Sequence, residues 1–374
     1  MKIGIVLNYK KAEKKKDELL NINSRKMSWL SLAKDEKYKK HVISIVKKDV
    51  KREYIAADVA IGIYIESHFK NVLVDYITPP EISTRRFKQN DLIFIIIYDL
   101  LEAFHLSDTE IFYTFKNALK NSNNVYPPYQ YQKFINNKCY YYKYLSERGI
   151  HVAPTFCITK EKWYSKSPQK YVTNLLTKVK AKKWNSIIAK PVYGQEAIGF
   201  EKFIDCQQEE IKLSKYLSKN IPKYKSIVIQ EYIPGFDKNS PEFRMYFING
   251  IFSYCIITSN LFVSAQPIEI GGTFKLKPGE WDYLLRFSQK VMNSLPKLEL
   301  KGKHANPILT RIDIGSGLVN QKVPFGFFVN EVEFVPSLYI ENHSYPVIEE
   351  IAKSIVKVTT EYEKNKLDHI NVLF

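Results

Sequence analysis

No stretch of the chain is apolar over the roughly 20 consecutive residues that a membrane-crossing helix needs. The opening residues, MKIGIVLNYKK, read as a short strand followed by charge, without the apolar run and small-residue cleavage site of a signal peptide. Together these absences set the expectation of an intracellular protein with no membrane partner. Cysteine is sparse. Cys139, Cys157, Cys206 and Cys255 lie far apart with no C-x-x-C pair, a pattern read as buried thiols and not as disulfides or zinc ligands. The seven histidines are scattered without metal-ligand spacing. Zinc-finger spacing and RNP-type aromatic motifs are missing, so nucleic acid is not expected as a partner. The P-loop pattern G-x-x-x-x-G-K-[ST] is missing too, as are internal repeats and low-complexity linkers.

What remains is an ordinary globular composition, 45% hydrophobic and 25% charged. At 374 residues the chain is too long for one compact core and implies two or three domains. The formal net charge of +17 favours anionic partners. The same abundance of Lys, Asn, Ile and Tyr is also what a low-GC coding bias produces.

In chain order, residues 2–7 read as a first strand, Lys10 to Lys16 as a solvated lysine-rich face, and residues 17–70 as mainly helical, with Ile55, Val59 and Ile63 at helical intervals. NVLVDYI, ended by Pro79-Pro80, reads as a strand, and DLIFIIIY as a strand buried on both faces of a parallel sheet. An amphipathic helix at 111–119 completes a small α/β domain. The sequence VYPP at 125–128 marks a boundary. Residues 134–148 read as one helix ended by Gly149, 185–190 and 226–230 as strands, and 242–248 and 251–257 as a hairpin about Asn249-Gly250. Helices are expected at 281–295 and 345–364. The expected division is 1–124, 125–230 and 231–374.

The stretch FFVNEVEFVPSLYIEN, 327–342, carries the strongest chemical signal. Glu331 and Glu333 are one residue apart, so in a strand they share a face. Adjacent carboxylates repel unless a positive group lies between them, and Mg²⁺, which prefers hard oxygen ligands and phosphates, suits the position. If LTRIDIG at 309–315 pairs with this stretch, Asp313 joins the pair, and Arg311, two residues before it, shares its face. Lys190 precedes a loop bearing Gly194 and Gly199, where backbone N–H groups and an ammonium can meet phosphate. Lys138 is a second candidate phosphate lysine. Gln230 to Gly235 suits an adenine edge, Glu242 a ribose, and Arg244 a phosphate or a substrate carboxylate. Taken singly, each also has a plain structural reading.

In order, NNKCYYYKYLSERGIHVAPT, IIAKPVYGQEAIGF, IVIQEYIPG, SPEFRMYFING, TRIDIG and FVNEVEFVPSL resemble the ATP-grasp superfamily of the carboxylate–amine ligase type, which includes glutathione synthetase and D-alanine–D-alanine ligase. The resemblance covers residues 125–345 and implies an α/β (α+β) fold, with a Rossmann-like N-terminal domain before two α+β subdomains that clamp ATP. It implies that Lys138, Lys190 and the loop carrying Gly194, Gln195 and Gly199 hold the ATP phosphates. Glu231 and Ile233 meet adenine through the backbone with Gln230 nearby, and Glu242 meets the ribose. Asp313, Glu331 and Glu333 bind Mg²⁺ or Mn²⁺, Arg311 faces the reacting carbonyl, and Arg244 is a second catalytic arginine. Glu333 departs from the Asn that many members carry, and the region near 17–53 has no obvious counterpart. The implied activity is an ATP-dependent ligase acting through an acyl phosphate on small-molecule or peptide acids and amines, some of them acidic. A kinase for a polyanionic small molecule and a non-catalytic nucleotide-binding module are the alternatives. The oligomeric state is left open, a homodimer being one option.

Overall fold

The apolar run before residue 98 forms the inside of a parallel sheet. The computed structural model describes residues 1–7, 19–47, 50–97, 109–194, 198–233, 241–259, 266–269, 278–300, 303–317, 323–340, 345–365 and 370–374. In chain order the first strands are β1 (Lys2–Val6), β2 (Leu19–Asn21), β3 (Ile43–Lys47) and β4 (Val50–Ala56), followed by helix α1 (Ala57–His68) and strands β5 (Leu73–Ile77) and β6 (Leu92–Ile95). Helix α2 (Thr109–Lys120) and strand β7 (Val125–Tyr126) complete this part. Strands β5-β1-β6-β7 form a parallel sheet in that order. Ile93, Phe94 and Ile95 are buried on both faces, as the unbroken apolar run requires.

Residues 17–70 are not mainly helical. β2, β4 and β3 make a small antiparallel sheet, and regular helix starts only at Ala57. Periodicity misled because Ile55, buried at the end of β4, falls in helical phase with Val59 and Ile63. The first three residues of β4 are exposed and two of them are charged, so neither face of the strand carries an alternating apolar signal. The Lys10–Lys16 face lies outside the described residues.

The single helix expected at 134–148 is two: α3 (Tyr129–Ile135) and α4 (Lys138–Glu147). The break comes from Asn137, whose side-chain oxygen accepts the Tyr140 N–H at 3.1 Å and caps α4. Beyond it lie β8 (Thr155–Thr159), α5 (Pro168–Ala181), β9 (Ile187–Pro191), β10 (Glu201–Phe203), α6 (Glu210–Tyr224) and β11 (Ser226–Glu231). The strands form an antiparallel sheet, β10-β9-β11-β8. One face is covered by α5 and α6 through Val172, Leu175, Val179, Leu213 and Leu217 against Ile227 and Ile229. Two cysteines correct the expectation of free thiols: Cys139 on α4 and Cys157 on β8 form a disulfide across 18 residues of sequence, while Cys206 and Cys255 are free and buried. Sequence spacing could not reveal it, because the pairing depends on α4 packing against β8.

The last part comprises β12 (Glu242–Ile248), β13 (Ile251–Ser259), β14 (Gln266–Glu269), α7 (Glu280–Ser294), β15 (Lys297–Leu300), β16 (Lys303–Ala305), β17 (Leu309–Gly315), β18 (Phe328–Glu333), α8 (Val347–Asn365) and β19 (Asn371–Leu373). The main sheet runs β14-β13-β12-β17-β18 and is antiparallel throughout. Its β12–β13 turn has positive φ at Asn249 and Gly250, 51° and 79°, as the sequence indicated. Helix α8 returns to the first part and packs on α1, where the Trp29 indole N–H donates to Glu349 at 3.2 Å.

Reducing the Cys139–Cys157 bridge frees a short loop in the unfolded chain, so it should lower stability by about 3 kcal/mol. Denaturant unfolding with and without a phosphine reductant measures this. An unchanged midpoint would show that the bridge does not constrain the fold.

Candidate functional site

One face of the five-stranded sheet is apolar and the other is charged. Phe243, Met245, Ile312, Ile314 and Val332 alternate into the core. On the opposite face the antiparallel register sets Arg244 beside Asp313 and Asp313 beside Glu331, with Tyr246, Arg311 and Glu333 in the next row. The expected pairing of the Asp313 and Glu331 strands is therefore present, and it brings three carboxylates together. Asp313, Glu331 and Glu333 each place an oxygen within 4.8 Å of the others.

The positive charge that this cluster requires is partly supplied by the protein. Buried Arg311 donates through Nε and Nη2 to the two oxygens of Asp313, both at 2.7 Å, and through Nη2 to Glu333 at 2.8 Å. Lys138, at the start of α4, pairs with Glu331 at 2.8 Å and donates to the Gly194 carbonyl at 2.6 Å. Burial opposes the charge on Arg311, but Asp313 and Glu333 more than restore it and raise its pKa. Burial also opposes ionisation of Glu331, but Lys138 and then Lys190 outweigh it and hold the carboxyl below the usual range. Glu333 goes the other way. Burial and the neighbouring Glu331 and Asp313 charges push it up to about 7, against the pull of Arg311.

Lys190 lies on β9 with its ammonium 3.2 Å from the Tyr142 hydroxyl, and that hydroxyl donates to the Asn330 carbonyl at 2.5 Å. Asn330 sits at an irregularity in the β17–β18 pairing, where Asp313 opposes Glu331 but Ile314 opposes Val329. Its amide donates to Glu242 at 2.7 Å. Glu242 also accepts from Arg244 Nε at 3.0 Å, and Arg244 Nη1 donates to Tyr339. Glu242 is buried, and that burial, with the Asp313 charge, holds its carboxyl above the usual range. Arg244 thus stands across the strand from Asp313, while its hydrogen bonds go to Glu242 and Tyr339.

Along the other sheet, the Gln230 amide donates to Thr155 at 3.1 Å, a bond that ties β11 to β8. The Glu231 N–H donates to the Pro154 carbonyl at 2.9 Å. Ile233 is buried against Ala153 and Phe328. Gly199 has φ +71°, and a Cβ there would come within 2.8 Å of Pro191, so the loop needs glycine at that point. Gln195, Pro234 and Gly235 lie outside the described residues. Sequence reasoning missed Asn330, Tyr142 and Tyr339. Only Tyr142 left a signal: it lies four residues after Lys138 and therefore on the same helix face.

No protein-family model matches the chain, and no curated protein matches it in sequence. Solved structures do match. The D-cycloserine synthetase DcsG superposes with a TM-score of 0.60 at 11% identity, covering 96% of this chain and 100% of that one. A D-alanine–D-alanine ligase from Bacillus anthracis complexed with ATP gives 0.55 at 14%, covering 96% and 99%. A RimK domain protein ATP-grasp from Sphaerobacter thermophilus gives 0.52 at 8%, covering 80% and 94%. The chain has the ATP-grasp fold. In that fold the carboxylate face of the last sheet, Lys138 on α4 and Lys190 on β9 form one connected polar site. Among the described residues no helix is long and apolar enough to cross a membrane.

The raised Glu333 pKa has a defined consequence for the metal-free protein. Folded Glu333 keeps a proton that the unfolded chain releases near its ordinary value of 4.5, so this group's contribution to stability is lost as pH rises from there through about 7. The stability of the wild type relative to Glu333→Gln should fall across that window. Denaturant melts of both proteins in a chelator measure it, and a pH-independent difference would remove Glu333 as the titrating group.

Proposed function

We propose that the chain is an ATP- and Mg²⁺-dependent ligase joining a carboxylate to an amine. The observation that carries this reading is the convergence of Lys138 on a cluster of three carboxylates that Arg311 also enters. An all-oxygen donor set with oxygens this close fits Mg²⁺, and Mn²⁺ as well. Asp313, Glu331 and Glu333 would hold the ion, which when bound supplies charge neutralisation to the phosphates and to the transferred phosphoryl group.

The remaining roles belong to the protein's own groups. Lys138 and Lys190 position the ATP phosphates beneath the loop that carries Gly194, Gln195 and Gly199. The backbone at Glu231 and Ile233 meets the adenine edge, and Gln230 fixes that segment to β8. Glu242 meets the ribose, oriented by Asn330 and Arg244. The substrate carboxylate attacks the γ-phosphate in line and gives an acyl phosphate and ADP. The amine then attacks the acyl carbon and releases phosphate. Arg311 stabilises the tetrahedral oxyanion, and its Nη1 takes no part in the three bonds to Asp313 and Glu333. A D-alanine–D-alanine ligase complexed with ATP among the structures of similar fold supports the reading.

The deciding experiment separates a carboxylate acceptor from a hydroxyl acceptor. With ATP, Mg²⁺ and each of a panel of amino acids and short peptides, but no amine, hydroxylamine should trap a hydroxamate from the true acid. Lys190→Ala should weaken ATP binding in calorimetry. Arg311→Lys should lower amide formation about 100-fold, because an ammonium cannot reproduce the fork geometry. A stable phosphate ester with no hydroxamate and no amide would replace the ligase with a kinase.

A further inference from the structure

A groove of about 410 Å³ runs along strand β8, on the outer side of its sheet. Residues 155–158 line it in succession. Side chains alternate across a strand, so four consecutive residues can face one groove only if it opens onto the strand's edge. β8 is the terminal strand of its sheet and pairs with β11 on its inner side, and among the described residues no strand pairs with the other. The opposite wall comes from α5 and the segment before it, with Lys162, Lys166, Tyr171, Asn174 and Lys178. No lining residue is acidic. The surrounding stretch, 160–183, holds eight lysines and one glutamate. Lys162, Lys166 and Lys178 are exposed, and none is ion-paired among the described residues.

We propose that this groove docks an acidic peptide in extended conformation, which adds to the sheet as a strand beside β8. An open strand edge presents main-chain donors and acceptors at the spacing of another extended backbone. A nucleic acid has no such ladder, so the edge selects a peptide and the lysines select an acidic one. Tyr171 and Asn174 supply an aromatic surface and an amide for the peptide's side chains. The groove shares no residue with the Asp313, Glu331 and Glu333 cluster, so the docking role stands or falls separately from the ligase reading.

The test uses the full chain and a fluorescein-labelled peptide of alternating glutamate and valine, followed by fluorescence anisotropy. The peptide should bind, more weakly as salt rises. Lys162→Glu with Lys178→Glu should weaken binding about tenfold. Both positions are exposed, so the fold should survive, as circular dichroism checks, and Lys166→Gln should give a smaller loss in the same direction. N-methylating alternate backbone amides of the peptide should also weaken binding, which a purely electrostatic contact would not show. Binding unchanged by these substitutions would overturn the proposal. So would indifference to N-methylation together with an oligonucleotide of equal charge binding as tightly.

Discussion

The site depends on a buried guanidinium set among carboxylates. Arg311 is 5% exposed and Asp313 2%, and charges so far from water are tolerated only when their hydrogen-bonding capacity is met. The Arg311 fork satisfies Asp313 with two bonds and reaches Glu333 with a third. This geometry exists only in one strand register. β17 lies between β12 and β18, so Arg311 and Asp313 are flanked by Tyr246 and Arg244 on one side and by Glu333 and Glu331 on the other. A one-residue slip of β17 would turn both charges into the layer now occupied by Ile312 and Ile314. The apolar face and the charged face therefore hold each other in place.

The same electrostatics reach beyond the sheet. Glu331 is held by Lys138, which belongs to a helix more than 190 residues earlier in the chain. Asn137 caps that helix, the Cys139–Cys157 bridge anchors it, and Tyr142 ties it to Asn330 on β18. Each of the three carboxylates faces a cation of the protein, which offsets part of their mutual repulsion, and the remainder helps to raise Glu333. In the proposed reaction Asp313, Glu331 and Glu333 would hold the metal, and Lys138 and Lys190 would hold phosphate.

The chemistry was legible in the sequence where it depends on a strand's period of two. Arg311 with Asp313, and Glu331 with Glu333, are pairs that a strand must place on one face, and the hairpin at Asn249-Gly250 declares itself through its turn. The run at 92–95 is legible as a strand buried on both faces. Features that depend on contacts between distant segments were not legible. The disulfide requires α4 to pack against β8, and the roles of Asn330 and Tyr339 depend on a sheet order that brings β18 and the chain beyond it within reach of Glu242 and Arg244 on β12. The small sheet at 19–56 was misread for a local reason: short strands with exposed charges lack the alternation that distinguishes strand from helix. Glu333 held its place in the cluster, but as a partner of Arg311 it carries a role that spacing alone could not assign.

The strand edge and the lysines of the site are parts of one mechanical unit. In the β10-β9-β11-β8 sheet, Cys157 pairs across to Val228, and Val228 to Lys190, so the three share a row and a face. Two strand spacings, about 10 Å, separate the edge strand from the strand that bears Lys190. From the same Cys157 the disulfide runs to Cys139, the residue after Lys138. Both candidate phosphate lysines are therefore anchored to β8, one through the hydrogen-bonded ladder and the other through a covalent link. A peptide added along the outer edge of β8 extends that sheet and restrains its twist. Such restraint would act on the relative position of Lys138 and Lys190, the two lysines proposed to hold phosphate. A rigid sheet transmits a change at its edge to side chains in the same row, whereas a contact on a loop would be absorbed locally.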